Sequence, residues 1–258
     1  MARIYDALLG GKDNYAADRE AAGELLKAVP GAARAARDNR AFLGRAVRFL
    51  AGEAGIRQFL DIGTGLPTLG NVHEIAQAVN PAARVVYVDH DPVVMLHANI
   101  LLAKSASVEA VNADLRYPLD LLTSPAVRAL IDFDEPVAVL LVAVLHFVED
   151  SENPWKIVDC IKDHMAPGSY LALSHVTGDD IPPDAMQQAR EVYKNASAPG
   201  VARERDDIDR FFDGLVTLAP GLVNVPTWRP DHIIRKPRET LFYAGVGRKP
   251  ADNREDMP

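Results

Sequence analysis

Cysteine, positive charge and long apolar runs are what this chain lacks. Cys160 is the only cysteine among 258 residues, which excludes an intrachain disulfide and a cysteine-based zinc site. It sits in Ile157-Val158-Asp159-Cys160-Ile161, a helical pattern, and is expected in the core. The formal net charge is −8. Nucleic-acid and membrane-surface binders usually need a basic face, so neither partner is expected. No apolar run reaches the roughly 18 residues of a membrane-spanning helix, and the N-terminus shows no signal-peptide pattern. A soluble, cytoplasmic protein is the expectation. With 48% hydrophobic and 25% charged residues, the composition is ordinarily globular, and the length suits one α/β domain with appendages.

The most informative stretch is Gln58-Phe-Leu-Asp61-Ile-Gly63-Thr-Gly65-Leu-Pro-Thr-Leu-Gly70. Phe59, Leu60 and Ile62 read as a short buried strand. Two glycines one residue apart then allow a sharp turn that a ligand can approach, because glycine accepts positive φ. The amides of the following helix would point into that space. The dinucleotide fingerprint needs a third glycine, and Thr68 stands in its place. A tight turn without a ligand is the plainer alternative. The next strand, Arg84-Val-Val-Tyr-Val-Asp89, again ends in an acid. Asp89 follows Gly63 at a little more than the roughly 20 residues typical of a ribose-binding acid. Its carboxylate can accept from both ribose hydroxyls. A third strand near Val108 to Leu115 carries Asp114, which could instead be a helix N-cap. Asp91 before Pro92 reads as an N-cap.

Around these units, residues 1–55 form a helical N-terminal extension, with helices over 16–29 and 32–52. Residues 3–15 read as a shaped loop with a glycine pair. From 58 to 177 strands and helices alternate, as in a parallel sheet. The continuous apolar run from Val137 to Leu145 fits a central strand covered on both faces. An insertion over 178–200, with a helix at 184–195, precedes a helix over 206–212. Two final strands follow, over 215–225 and 240–247, before a polar tail at 251–258. The core domain is thus 56–250.

The sequence resembles a bacterial S-adenosyl methyltransferase family first catalogued as a domain of unknown function, within the class I S-adenosylmethionine-dependent methyltransferases. The resemblance rests on Arg3-Ile-Tyr-Asp6, Leu9-Gly-Gly-Lys-Asp-Asn14, Phe59 to Thr68, Gly70-Asn-Val-His-Glu74, Val86 to Pro92, Ala143 to Val148, Pro167 to Tyr170, Leu173-Ser-His175 and Trp228-Arg-Pro230. It implies a Rossmann-like α/β fold, a seven-stranded, mostly parallel sheet with the last strand antiparallel. It also implies S-adenosylmethionine as cofactor. By position, Gly63 and Gly65 would pass the methionine part and Asp61 its amino group. Asp89 would hold the ribose with His90 beside the adenosine. Asp114 would meet the adenine amino group, Leu115 its face, and Ala143 the methionine end. Pro67 departs from the commoner glycine pattern of such enzymes.

His146 and His175 lie at the expected tips of the fourth and fifth strands, where open parallel sheets bind ligands. A neutral histidine can act as base near pH 7, so both are candidates to bind or deprotonate the methyl acceptor. The alternative for each is a structural hydrogen bond. Tyr5, Lys12, Asn14 and Tyr15 could form a lid over the cofactor, or an arm packed for stability. Arg229 could anchor an anion or make a surface ion pair, and Arg203 to Asp207 reads as a solvated, mixed-charge face. No metal site is expected. The leading function is a methyltransferase acting on a small molecule. A non-catalytic S-adenosylmethionine-binding protein is the alternative, and a dinucleotide oxidoreductase the third reading. Acceptor and oligomeric state stay open.

Overall fold

The structure is a computed structural model. It describes all residues except 68–69, 103–104, 180, 182–183, 185–186, 189–190, 193–199, 233–240 and 252–258. The expected helix at 184–195 lies largely outside the described residues, and Thr68 and the tail from 252 wholly so.

Five parallel strands lie at the centre: β1 (Gln58–Ile62), β2 (Arg84–Asp89), β3 (Val108–Asn112), β4 (Ala138–Val142) and β5 (Tyr170–Val176). They stand in the order β3-β2-β1-β4-β5. β8 (Phe242–Arg248) runs antiparallel to β5 over its full length, pairing Tyr170 with Arg248 and Val176 with Phe242. The stretch expected as one strand over 215–225 is two, β6 (Val216–Thr217) and β7 (Val223–Asn224), both antiparallel to β8. Between them the chain turns at Pro220 and at Gly221, whose φ is 89°. The sheet therefore has eight strands where seven were expected, and the final strand is antiparallel as expected.

Alternate residues of the central strands enter two separate cores, as period-2 geometry requires. Leu60, Ile62, Val86, Val88, Val139 and Leu141 face one side. Phe59, Val85, Tyr87, Ala138 and Leu140 face the other. The first face is covered by α6 (Pro118–Thr123), α7 (Pro125–Arg128) and α8 (Pro154–His164). The second is covered by α3 (Ala32–Gly52) and α4 (Val72–Val79), with Trp228 set edge-on to Phe42 at 5.3 Å. Burial on both sides explains the unbroken apolar run of β4. Cys160 packs half-buried against the first core.

Residues 2–9 are a helix, α1 (Ala2–Leu9), where a loop was expected. Ile4 and Leu8, four apart, lie on one helical face and join a third apolar cluster with α2 (Ala16–Ala28) and the start of α3. Packing against those helices overrode the turn signal of the glycine pair, which instead ends α1 with Gly10 at φ 79°. Two further helices are α5 (Pro92–Leu102) and α9 (Arg205–Asp209). Asp91 caps α5 by accepting from the Val93 amide at 2.9 Å. Among the described residues, no helix is long and apolar enough to cross a membrane.

Candidate functional site

A cleft of about 240 Å³ opens beyond the carboxyl ends of β1, β2 and β4. Its sheet side is Asp61, the turn Gly63–Leu66, Asp89 to Asp91, Val142 to Val144, His146 and Phe147. Its other side is α1, the end of α2 and the first half of α3. Ligands of open α/β sheets bind at this end of the strands.

The glycine turn is held from two directions. The Gly63 amide donates to the Val88 carbonyl at 2.7 Å, and the Gly65 amide to the Asp89 carboxylate at 2.9 Å. Gly63 has φ 74°, and a Cβ there would strike the Val144 side chain. The other Asp89 oxygen accepts the Asp91 amide at 2.9 Å. Two bonds leave this carboxylate spare lone pairs. α4 starts well beyond the turn, at Val72, in a capping box made by Asn71 and Glu74. The cleft is thus lined by the turn's backbone, not by the helix N-terminus expected there, because the long β1–α4 loop carries the helix start away.

Asp61 is buried, and loss of water pushes its carboxyl up to about 6 despite the nearby Arg40 guanidinium. Arg40, on α3, also lines the cleft and has its Nε buried without a partner. One Arg40 amine reaches the Gly70 carbonyl at 3.2 Å. Ala143 sits at φ 56°, a conformation costing a non-glycine residue about 1–2 kcal/mol. Its amide donates to the Ser174 hydroxyl at 3.0 Å, and that hydroxyl donates to Asn39 Oδ1 at 2.6 Å. Asn39 Nδ2 donates to the Tyr5 hydroxyl at 3.0 Å, which donates to the Ala36 carbonyl at 3.0 Å. This chain ties α1 and α3 to the tips of β4 and β5.

The two histidines have different fates. His146, on a 3-10 turn over Leu145–Phe147, lines the cleft and has Nδ1 buried without a partner. Burial, the neighbouring His175 and Arg203 hold its imidazole well below the usual range, so it is neutral at pH 7. His175 is fully buried behind it, ring to ring at 5.7 Å, and is absent from the wall. Both its nitrogens are taken. Nδ1 meets the Val176 carbonyl at 2.7 Å, and Arg203 donates to Nε2 at 2.7 Å. His175 was expected at a strand tip facing the acceptor, but alternation along β5 turns it into the core. Arg203 corrects the solvated reading of its segment. It is 4% exposed and also donates to the carbonyls of Leu145 and Val148 and to Asp150. It clamps the turn that carries His146.

The sequence matches the S-adenosyl methyltransferase family over residues 1–250. The chain belongs to that family. It is similar to a crystal structure of a putative methyltransferase from Thermobifida fusca, with 44% identity, TM-score 0.92 and 97% and 95% of the two chains covered. It is likewise similar to a DUF574 family protein from Streptomyces avermitilis, with 40% identity, TM-score 0.91 and coverage of 96% and 97%. At 14% identity and TM-score 0.51, with 84% and 97% of the chains covered, the N-methyltransferase NodS from Bradyrhizobium japonicum shares the fold. No curated protein matches the chain. By family and fold it is an S-adenosylmethionine-dependent methyltransferase.

For this methyltransferase, the cleft brings together Tyr5, Asp61, Gly63, Gly65, Asp89, His90, Ala143 and His146 of the residues singled out in the sequence. His90 is largely exposed, its Nδ1 3.6 Å from Asp89. The others lie elsewhere. Leu115 is in the core between sheet and helices, and so does not flank the cleft. Asp114 pairs with Arg116, two residues on, at 2.6 Å, and caps that turn by accepting the Arg116 amide. Lys12 and Tyr15 are exposed and outside the wall, Tyr15 stacked under Arg3. Asn14 serves the arm itself, donating to Asp6 at 2.7 Å. Asp6 explains the Leu-Gly-Gly-Lys-Asp-Asn motif: the loop folds over its carboxylate, which also accepts the Asp13 amide, and a Cβ on Gly11 would strike it. Arg229 lies over the Phe49 ring at 3.9 Å and reaches Glu53. Arg40, Asn39 and Asp6 were missed in the sequence. Only the helical spacing of Asn39 and Arg40 with Ala36 and Leu43 could have put them on a shared face. Among the described residues no cluster of three His, Cys, Asp or Glu side chains could hold a metal ion.

Proposed function

We propose that this cleft binds S-adenosylmethionine along its sheet side and methylates a small molecule held beside His146. The observation that carries this is a pair of complementary deficits. Asp61 is a buried carboxyl whose loss of water the Arg40 guanidinium and the Thr64 side chain only partly offset, and Arg40 has a buried Nε without an acceptor. A methionine moiety, with its ammonium and carboxylate, satisfies both, and charge-assisted bonds of this kind are the strong ones. Arg40 is also the one Arg or Lys in the wall among the described residues. Gly63 and Gly65 let the chain pass close. Asp89 keeps lone pairs for the ribose, and His90 lies over the adenosine side. Residues 1–9 close the cleft from above, the lid role expected of the arm, with Tyr5 as its polar tie.

When bound, S-adenosylmethionine supplies a methyl from a sulfonium and leaves as a neutral thioether, so one cation disappears from the cleft. His146 gains a cation in the same step by taking the acceptor's proton. The buried site's net charge is unchanged, so the weak basicity of His146 is no obstacle. Alignment of acceptor and methyl supplies the rest. Calorimetry with S-adenosylmethionine, S-adenosylhomocysteine and NAD tests the reading. Micromolar or tighter binding of the first two, lost on Asp89→Ala, is expected. Tight NAD binding in their place would overturn it. Cofactor binding with no transfer to any acceptor would favour a non-catalytic binding protein.

A further inference from the structure

The cleft has a second half, away from the acids. Leu8 and Leu9 of α1, Leu25 of α2 with Val29 just past its end, Ala36 of α3 and Phe242 of β8 wall it. Leu8, Leu25, Val29 and Ala36 belong to the apolar cluster of the N-terminal helices, separate from the two clusters that sandwich the sheet. Among the described residues, the charged side chains of the cleft are placed elsewhere. Asp61, Asp89, Asp91 and Arg40 line its donor side, and Asp6 is engaged by the loop over 11–14. A charged molecule in the apolar half would lose its water without gaining a counter-charge, which costs far more than burying a single hydrogen-bonded hydroxyl. Among the described residues, the one buried side-chain atom at its edge without a hydrogen-bond partner is His146 Nδ1.

Resting on the methyltransferase reading above, we infer that the acceptor is an uncharged, mainly hydrocarbon small molecule with a phenol-like O–H. Its rings or chain fill the chamber of the N-terminal helices, and its hydroxyl meets His146. A neutral, weakly basic imidazole suits an O–H about as acidic as tyrosine's, near 10, better than an aliphatic alcohol. In the transfer the O–H bond breaks and its proton goes to the His146 ring. An oxygen lone pair forms the new bond to the methyl carbon, and the pair of the broken C–S bond stays on sulfur. The imidazolium then returns its proton to solvent.

The test uses the full chain saturated with S-adenosylhomocysteine, and three probes that share one ring system: 1-naphthol, 1-naphthoate and 1-naphthylmethylammonium. Calorimetry should show 1-naphthol binding at least tenfold tighter than either charged probe, and tighter than naphthalene. His146→Ala should bring 1-naphthol down to the level of naphthalene. Leu9→Asp should weaken 1-naphthol tenfold or more at saturating S-adenosylhomocysteine. Leu9→Asn replaces it if circular dichroism shows the aspartate variant unfolded. Naphthoate binding as well as naphthol, or no naphthol binding, would overturn the inference. If S-adenosylhomocysteine itself fails to bind, the donor assignment falls, and the same naphthol series on the free protein still decides the chamber's chemistry.

Discussion

Across the cleft, the turns after β1, β2 and β4 face helices α1 to α3. The sheet side is fixed by hydrogen bonds and special backbone: Gly63 and Gly65 at positive φ, Ala143 at φ 56°, and Asp89 bonded to two amides. Nothing there can shift far without breaking a bond. The helix side is an apolar cluster with few polar ties, Tyr5 to Ala36, Asn39 to Tyr5 and Ser174 to Asn39 among them. Apolar packing is non-directional and tolerates exchange of shape at similar volume. Arg40 is the exception, a charge set on the helix side near Asp61.

Five substitutions and one titration can break or sharpen that division. His146→Ala should have the largest effect, lowering turnover about 10²–10⁴-fold if His146 is the base, with S-adenosylmethionine affinity within a few fold. A loss below tenfold would leave His146 only an anchor. Arg40→Ala removes a charge-assisted bond worth about 1.5–3 kcal/mol, so calorimetry should show about ten- to hundredfold weaker donor binding. Unchanged affinity would return α3 to a purely apolar role. Asp61 should make donor affinity depend on pH. Its raised carboxyl, at about 6, ionises as pH rises through that value, and the ionised form attracts the ammonium. Affinity should therefore fall about tenfold from pH 7 to pH 5, and Asp61→Asn should flatten the curve. Tyr5→Phe removes the tie between arm and α3, worth about 1 kcal/mol, and should loosen donor binding a few fold. Lys12→Ala should change affinity less than twofold, since Lys12 lies outside the cleft wall; a larger loss would show that the arm closes further than α1.

Much of the sheet side was legible because its signals are local. An apolar strand ending in an acid, then Gly-x-Gly, has few structural solutions, and Asp61, Gly63, Gly65 and Asp89 all line the cleft. The histidines show the limit. Both follow apolar strands, and strand position alone gave them the same expectation. His146 lies in a turn past the end of β4, whereas His175 is still inside β5, where alternation buries it beneath Arg203. Arg203 itself stood in a run of charges that reads as solvated, and its burial depends on Asp150 and three partners distant in the chain.

By itself, then, the sequence determined the alternation of strands and helices from 58 to 177, the two-sided cover of β4, and the acid-tipped, glycine-turned wall, because each follows from periodicity or backbone freedom within a few residues. Tertiary structure alone decided that 215–225 splits into two strands, that residues 2–9 coil into α1, and that Arg40 comes to lie near Asp61. It also decided which histidine reaches the cleft. Those outcomes depend on which surfaces meet across long stretches of chain, and no local pattern encodes that meeting.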